Sequence, residues 1–444
     1  MLKKTKEGKD TLLLCLLSGL GIAGHWGLNV FFARHLSPHL YGDLSVAIKC
    51  LSLSALALFA GSEMIAISNM SEAINEKNSK LYNAFTVWHK RFLKKACCIF
   101  LILLVSTLGT LLISREWSFF GYEMHLTIYF LFAAPFVVIF KMYAAYLQAS
   151  GRAVFASLFR NITSGMFLFL LISLIYFFQV ELNAPALFWA YFFGYFLIAG
   201  LALYAYQVTV SKNILSNMKT TQLKNNQTFY AKQAYWRNSS LLNMPNTVLF
   251  RFLGFIDLLS LELFGRIESE VGYYQACVLI SGFFFRLIDN LYSPLISKLS
   301  SGLKSEEKQK KLQLSINKTL CMGFAIMICL LSLVWLFSNP ILMVFGKEYI
   351  KAKLVLKIFL LDVLLGYLCY LPDSLLVMQG KAKSIAKAQT YILPFYLAAC
   401  ILGAHYYGML GAAVSMFIYY FVYGVSMLLI AKKTLPKIKT LILI

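Results

Sequence analysis

The sequence predicts an all-α, polytopic membrane protein with about twelve transmembrane helices in two parallel six-helix lobes. Three observations lead to this fold class. Hydrophobic residues make up 59% of the 444-residue chain and charged residues only 14%, whereas about 25% of a soluble domain is charged. The apolar residues form runs of the ~20 residues that a spanning helix needs. The runs also repeat from one half of the chain to the other. A soluble enzyme, a disordered chain and a secreted disulfide scaffold are thereby excluded.

The apolar runs predict two sets of six spans separated by a basic stretch. The first set covers residues 12–32, 43–67, 96–114, 126–148, 155–178 and 186–208. The second set covers residues 240–264, 271–296, 318–338, 354–378, 385–404 and 410–431. We therefore expect an N-terminal lobe at 1–208, a cytoplasmic linker at 209–239 and a C-terminal lobe at 240–444. The remaining connections are too short to hold a soluble catalytic domain.

Basic residues are unevenly distributed among the predicted connections. The chain carries 41 Lys and Arg against 19 Asp and Glu. If the N-terminus is cytoplasmic, 30 of the basic residues fall in cytoplasmic segments or at the span ends that border them, and only 6 fall in external segments. Such an excess is typical of cytoplasmic loops. It predicts both termini in the cytoplasm, and it explains the net charge of +22 without a nucleic-acid partner.

Short matches about 230 residues apart indicate an internal repeat. Gly42 follows the first span and Gly272 the seventh, while Gln148 and Gln379 follow the fourth and the tenth. A basic, helix-prone stretch also follows the second and the eighth spans. Two six-span repeats inserted in the same direction are typical of alternating-access transporters. The apolar stripe within residues 81–92 is expected to lie flat on the inner leaflet.

Small residues near the span ends have predicted local roles. Gly42, Gly272 and Gly346 are expected to form tight turns, because glycine tolerates the backbone angles that turns need. Gly411 and Ala412 are expected to let helices pack closely. The nine cysteines contain no Cys-x-x-Cys pair, so we expect buried thiols with no disulfide framework and no metal site.

Several motifs resemble those of one transporter family. Residues 33–43, ARHLSPHLYGD, resemble the A-R-x-L-x-P-x-x-Y-G signature of bacterial polysaccharide flippases, the Wzx-type translocases of the multidrug/oligosaccharidyl-lipid/polysaccharide exporter superfamily. Shorter stretches are similar to its E-V-G-x-Y, P-x-x-S-K, F-G-x-E-Y, Q-G-[RK] and G-x-x-G-A-A motifs. The positions that carry the likeness, all expected to serve the architecture, are Arg34, Pro38, Tyr41, Gly42, Gly272, Pro294, Gly346, Gln379 and Gly380.

The resemblance implies a function in the bacterial inner membrane. The protein would flip an oligosaccharide linked to undecaprenyl diphosphate to the outer face, for the synthesis of lipopolysaccharide O-antigen, capsule or exopolysaccharide. A polysaccharide polymerase and a chain-length regulator would be candidate partners beside the lipid bilayer. No catalytic residue and no cofactor is expected, except a coupling proton or Na+. Because the chain lacks the G-x-x-x-x-G-K-[ST] nucleotide-binding loop, the energy would come from an ion gradient, the membrane potential or downstream consumption of the substrate.

Basic residues inside spans are the candidate substrate-binding residues, because a charge in lipid is costly and usually faces a cavity or a partner. Arg251, Arg286 and Lys141 are the deepest, with Arg251 about 16 Å into a ~30 Å core. A cationic cavity would suit a diphosphate, which arginine binds in a bidentate manner. Lys49 and Lys357 lie near the outer span ends and can extend to the interface.

Acidic residues inside or near spans are the candidate ion-coupling residues. Arg286 and Asp289 are three residues apart on one helix and could instead pair with each other. The other acids could bind a proton or cation, or pair with a base on another helix. The candidates are Asp257, Asp289, Asp362 and Glu63, with Asp373 beside them.

Two other functions stay open at this point. An ion-coupled multidrug extruder of the same superfamily would favour an acidic lumen, which the deep basic residues weigh against. A membrane-embedded polysaccharide polymerase or glycosyltransferase usually requires a larger external loop than the predicted spans leave.

Overall fold

The structure, a computed structural model, describes residues 2–113, 125–159, 165, 167–179, 181–211, 226–302, 306–378 and 381–434. Within these ranges the chain is helical and no strand forms, as the all-α fold class predicts. Six helices of this part are long and apolar enough to cross a membrane, and three shorter apolar helices accompany them. Gln379 and Gly380, two of the predicted motif positions, lie outside the described residues.

The chain divides into two compact units, the first comprising Met1–His35 and Asp43–Phe252 and the second Leu36–Gly42 and Leu253–Ile444. The helices of the first unit, including all but the first turn of α2, are α1 (Leu2–His35), α2 (Pro38–Phe59), α3 (Ser62–Asn75), α4 (Ser79–Ile113), α5 (Leu126–Leu131), α6 (Ala134–Ala149), α7 (Ala153–Ser157), α8 (Leu168–Phe177), α9 (Ala184–Tyr206) and α10 (Asn226–Leu253).

The second unit is built from both long and short helices. They are α11 (Ile256–Phe264), α12 (Ser269–Gly302), α13 (Glu306–Leu336), α14 (Ser338–Met343), α15 (Lys353–Met378) and α16 (Ala382–Thr434), with a 3-10 helix at Lys347–Ala352 before α15. Helices α11, α12 and α15 all pack against α16, and α12 also packs against α15. Pro294 lies inside α12.

Within the described residues, breaks divide the second, the fourth and the seventh predicted spans into two helices each. The second span breaks at Ala60 and Gly61, which have φ angles of 47° and 66°. The fourth breaks between α5 and α6, and the seventh breaks at Gly254 and Phe255, between α10 and α11. Each break lies inside a stretch that is apolar enough on average to be read as one span, so hydropathy does not mark it.

The apolar stripe within residues 81–92 does not form a separate surface helix. Helix α4 runs without interruption from Ser79 to Ile113. Leu81 and Phe85 are buried at 4% and 0% exposure. The Trp88 ring lies 5.4 Å from the Trp236 ring of α10. The predicted surface helix is therefore wrong, because the stripe packs against helices of the first unit rather than against lipid.

Gly42 and Gly272 lie inside helices, not in the tight turns that the sequence suggested. A Cβ atom on Gly42 would come within 2.9 Å of the Val271 Cβ atom, and one on Gly272 would overlap the Pro38 carbonyl oxygen. The two glycines therefore let the first turns of α2 and α12 touch. Gly346, by contrast, has a φ angle of 148° where the 3-10 helix begins, as a turn glycine does.

Helix α16 consists of two antiparallel arms that meet at Gly408, whose backbone is non-helical (φ 58°, ψ −139°). The backbones of Gly403 and Gly411 are in direct contact across the hairpin, which is the close packing predicted for Gly411. The Glu270 carboxylate of α12 accepts a 2.7 Å hydrogen bond from the Met409 backbone N–H. An acid from another helix thus caps the second arm, where a helix N-terminus favours negative charge.

Candidate functional site

The predicted basic residues lie on three different helices. Arg251 occupies the last turn of α10, just before the break at Gly254, and its side chain is exposed. Positive charge is favourable at the C-terminal end of a helix, so a structural role also fits this position. Arg286 is exposed on α12 of the second unit, and Lys141 is half-buried on α6 of the first.

The predicted acids differ sharply in burial. Asp289 is exposed and interacts electrostatically with Tyr370 rather than forming an ion pair with Arg286, among the residues that the structure describes. Asp373 is half-buried and accepts a 3.0 Å hydrogen bond from the Tyr423 hydroxyl. Glu63 is half-buried in the first turn of α3. Only the remaining two candidates are buried.

Asp257 and Asp362 form a buried acidic pair inside the second unit. Asp257 is on α11 and Asp362 on α15, and their exposed fractions are 2% and 0%. The two carboxyl groups interact electrostatically. The Tyr274 hydroxyl of α12 donates a 2.7 Å hydrogen bond to Asp257 Oδ2. Asp257 Oδ1 and both Asp362 oxygens have no hydrogen-bond partner among the described residues.

The fold explains how these carboxyl groups are placed. The break at Gly254 and Phe255 starts α11 anew, so Asp257 falls in the first turn of a helix. The partial positive charge of a helix N-terminus stabilises an anion there. Asp362 lies on α15, and α16 packs against both α11 and α15. Both acids lie inside apolar runs of the sequence.

Phenol and thiol groups surround the acidic pair. Tyr396 and Cys400, both on α16, lie within electrostatic range of Asp257. Tyr420 lies within range of both acids. Tyr274, Tyr396 and Cys400 are 0%, 3% and 0% exposed. The pair is therefore enclosed by weakly polar groups. In such surroundings it is unfavourable for both carboxyl groups to carry a negative charge.

Tyr274 and its neighbours were not predicted as site residues. Tyr274 is the last residue of the E-V-G-x-Y motif, one helical turn after Glu270. That spacing places the two side chains on one face of α12. The four-residue spacing from Glu270 is the sequence feature that could have identified Tyr274. Residue type alone could not identify it, because the chain holds 26 tyrosines.

The first unit contains a second buried polar network, centred on His89. The Ser62 hydroxyl donates its only proton to the Phe59 carbonyl oxygen at 2.6 Å. The 2.8 Å contact between Ser62 Oγ and His89 Nε2 therefore requires Nε2 to carry the proton. In the neutral ring, Nδ1 then accepts a hydrogen bond from the Tyr146 hydroxyl at 2.9 Å. His89 thereby ties the break between α2 and α3 to α6.

The start of α10 also packs inside the first unit. Trp236 is 1% exposed, and its indole N–H donates a 2.9 Å hydrogen bond to Asn69 Oδ1 on α3. Its ring packs edge-on against Phe85 at 5.0 Å. Residues 226–239, which the sequence assigns to the linker, thus form the first half of α10.

Solved structures with similar folds are membrane transporters. The structure described as an outward-facing conformation of a multidrug resistance MATE family transporter of the MOP superfamily aligns with a TM-score of 0.59 at 14% identity, covering 97% of this chain and 96% of that chain. A Vibrio cholerae MATE transporter aligns with a TM-score of 0.56 at 16% identity, covering 97% and 98%.

A third similar structure is a MOP superfamily transporter from Pyrococcus furiosus, described as having a binding pocket of reverse polarity that suggests a different function. It aligns with a TM-score of 0.57 at 14% identity, covering 97% of this chain and 96% of that chain. No family model matches the sequence, and no curated protein matches it.

Identities this low show the fold and nothing finer. The solved structures that this one resembles are transporters rather than enzymes. The Wzx-type subfamily stays a prediction. The chain is a multi-pass membrane protein with the fold of MATE transporters of the MOP superfamily, built from about twelve helices.

Proposed function

We propose that the protein is an ion-coupled membrane transporter whose coupling proton or Na+ binds to Asp257 and Asp362. The observation that carries this proposal is the burial of two interacting carboxyl groups of which three oxygens lack a hydrogen-bond partner among the described residues. Two like charges in such a place cannot both remain ionised without a counter-charge. A bound proton or cation supplies that counter-charge.

The pair joins two separate helices, which gives ion binding a mechanical effect. Without a bound ion the two carboxylates repel each other, and a bound proton or cation removes that repulsion. Ion binding therefore alters the packing of α11 and α15 against α16. A change of this kind can bias an alternating-access cycle.

For the substrate we favour small organic molecules, exported as by a multidrug extruder. The support is fold-level, because similar structures are described as multidrug MATE transporters. The Pyrococcus furiosus structure, described by a pocket of reverse polarity, supports a variable substrate within this fold. The buried acids of the second unit also suit an ion-coupled extruder.

Flipping of undecaprenyl-diphosphate-linked oligosaccharide is the second candidate. It is favoured by the signature at residues 33–43 and by the exposed side chains of Arg251 in the first unit and Arg286 in the second, since an exposed arginine suits a phosphate group. In that case a polysaccharide polymerase and a chain-length regulator would act next to it. For both candidates we propose the bacterial inner membrane, with both termini in the cytoplasm.

Transport by the purified protein in proteoliposomes tests the coupling site. Efflux of a fluorescent organic cation is measured under an imposed proton gradient and, separately, an imposed Na+ gradient. One of the gradients should drive transport by the unmodified protein. Asp257→Asn and Asp362→Asn should each abolish the gradient-driven component. Glu76→Gln, which neutralises an exposed acid of the first unit, is the matched control and should transport normally.

Gradient-driven efflux that persists in the Asp257→Asn/Asp362→Asn double variant would show that the coupling site lies elsewhere. Transport that responds to neither gradient would refute ion coupling itself.

A further inference from the structure

Four lysines lie at the N-terminal end of α15, on the side of the membrane where the predicted topology has few basic residues. Lys347, Lys351 and Lys353 lie in the connection between α14 and α15 or at its border, and Lys357 follows one helical turn later. The topology predicted from the charges makes this connection external, and every other predicted external connection carries at most one basic residue. Membrane insertion therefore does not account for this lysine cluster.

An apolar groove lies beside the lysine cluster, between α13 and α15. Its volume is about 540 Å³, within the range of about 300–1,000 Å³ typical of small-molecule sites. Its floor is formed by Leu331 and Leu360, which are 7% and 2% exposed. Its rim includes Leu336 and Leu361, which are 75% and 42% exposed. The groove is thus open along the length of the two helices. Exposed apolar surface of this kind faces the acyl chains of the bilayer in a membrane protein.

Lys357 lies beside this groove. Its Nζ atom is 4.8 Å from the ring centroid of Trp335, a groove-lining residue. The lining residues of α13 run from Ile328 to Leu336, a rise of about 12 Å along the helix. That length fits within one leaflet of a ~30 Å hydrocarbon core. The groove therefore matches one leaflet, with a lysine and a tryptophan at the level of the headgroups.

Two other charged side chains of this connection contact α12 rather than the groove. Glu348 is the sole acid in the sequence from Phe337 to Lys353, and it accepts a 3.0 Å hydrogen bond from the Tyr273 hydroxyl. Lys351 lies over the Tyr273 ring at 5.5 Å. Glu348 and Lys351 thus share Tyr273 of α12, whereas Lys357 lies over Trp335 of α13.

We propose that this groove is a binding site for an anionic phospholipid. One acyl chain lies between α13 and α15, and the phosphate is bound by Lys357 beside the Trp335 ring. Charge complementarity selects the lipid, because an ammonium group at the headgroup level attracts an anionic lipid more strongly than a zwitterionic one. Under the proposed topology the site belongs to the outer leaflet. The site is independent of which ion or substrate the protein transports.

Trp335 allows a direct test in the full-length protein. The protein is reconstituted in mixed vesicles of phosphatidylglycerol and phosphatidylethanolamine, in which either one or the other carries dibrominated acyl chains. Bromine quenches tryptophan fluorescence on contact, and the Trp335 signal is the difference from a Trp335→Phe variant. We expect brominated phosphatidylglycerol to quench this signal with about fivefold higher apparent affinity, as one lysine near the surface implies.

Two lysine variants separate the site from the general basic surface. Lys357→Gln should abolish the preference for phosphatidylglycerol. Lys351→Gln is the matched control, since it removes the same charge from the same end of α15 and also from above an aromatic ring; it should keep the preference. Equal quenching by the two lipids would overturn the proposal, because it indicates ordinary boundary lipid. A preference unchanged in Lys357→Gln would also overturn it.

Native mass spectrometry gives a second measurement if the Trp335→Phe variant is disturbed. The unmodified protein should retain one more phosphatidylglycerol molecule in mild detergent than Lys357→Gln does. Equal numbers of retained lipids in the two proteins would contradict the site.

Discussion

The Tyr274 hydroxyl donates a 2.7 Å hydrogen bond to Asp257 Oδ2, which joins α12 to the acidic pair between α11 and α15. The bond occupies one carboxylate oxygen and leaves Oδ1 without a partner among the described residues. Tyr274 thus orients Asp257, and the other oxygen is left for an ion. A substitution of Tyr274 should therefore show whether the coupling ion is a proton or Na+.

Tyr274→Phe removes a donor to the ionised carboxyl group, a bond to a charged group that is worth about 1.5–3 kcal/mol. If the coupling ion is Na+, its apparent affinity should fall about tenfold or more, since the carboxylate is less well held. If it is a proton, the carboxyl group should bind it more tightly, and transport should reach its maximum at a higher pH. The measurement is gradient-driven efflux against Na+ concentration and against pH.

Tyr273→Phe is the control for this change, because Tyr273 is adjacent in sequence but bonds to Glu348 outside the pair. Equal effects of the two substitutions on ion dependence would argue against a role of Tyr274 at the site.

The contact between α2 and α12 predicts a difference between two glycine substitutions. Gly272→Ala would place a methyl group against the Pro38 carbonyl and should destabilise the protein by about 1–3 kcal/mol. Gly282→Ala, on the same helix, meets no atom within 4 Å and should be neutral or stabilising by up to ~1 kcal/mol. Thermal unfolding in detergent measures both, and equal melting temperatures would contradict the close packing.

The His89 network predicts non-additive effects on stability. Ser62→Ala and His89→Leu should each cost about 1–3 kcal/mol, because each leaves a buried polar partner unsatisfied. The double variant should cost less than the sum of the two, since both ends of the contact are then removed. Ser106→Ala, at an exposed position of α4 whose hydroxyl contacts only the Leu103 carbonyl, is the control. Strict additivity would show that Ser62 and His89 act independently.

Deletion of the gene should distinguish the two candidate substrates. A multidrug extruder predicts increased sensitivity to organic cations with normal surface polysaccharide. A flippase predicts accumulation of lipid-linked oligosaccharide at the inner leaflet and reduced surface polysaccharide. Minimum inhibitory concentrations and analysis of extracted lipids measure the two outcomes. The second result would show that the substrate is the lipid-linked oligosaccharide rather than small organic molecules. The ion-coupling site would still be tested separately by the Asp257 and Asp362 variants.

The distribution of basic residues predicts the topology. Alkaline phosphatase fused after residue 225 should be inactive, since the basic segment 209–239 is predicted to be cytoplasmic. The same enzyme fused after Gly346 should be active, because the connection before α15 is predicted to be external. Fluorescent-protein fusions at the two sites should give the opposite pattern. Phosphatase activity at residue 225 would invalidate the predicted orientation.

Hydropathy predicted the helices well because the thickness of the bilayer sets the length of an apolar run. It missed the breaks at Ala60 and Gly61 and at Gly254 and Phe255, because these pairs are themselves apolar or small. The predicted depth of Arg251 assumed that the seventh span is one continuous helix, with Arg251 near its middle. Arg251 instead lies in the last turn of α10. The local backbone, not the composition, determines where such a side chain lies.

The acidic pair was partly predictable for a physical reason. A carboxyl group in an apolar run is conspicuous, so Asp257 and Asp362 were identified without knowledge of the fold. That the two acids interact was not predictable, since α11 and α15 are brought together by packing against α16. The roles of Gly42 and Gly272 were misjudged for the same reason: a glycine needed for contact between helices looks the same in sequence as one needed for a turn.

The cap that Glu270 provides at Met409 has a consequence for biosynthesis. The two residues are 139 positions apart, so at a synthesis rate of about 5–20 residues per second the partner of Glu270 emerges roughly 7–28 s later. Until then this carboxylate has no backbone N–H to bind, and the turn at Gly408 does not exist. The second unit can therefore be completed only after the last part of the chain is synthesised. A ribosome that stalls before Gly408 would leave an incomplete helical bundle, which quality-control proteases would degrade.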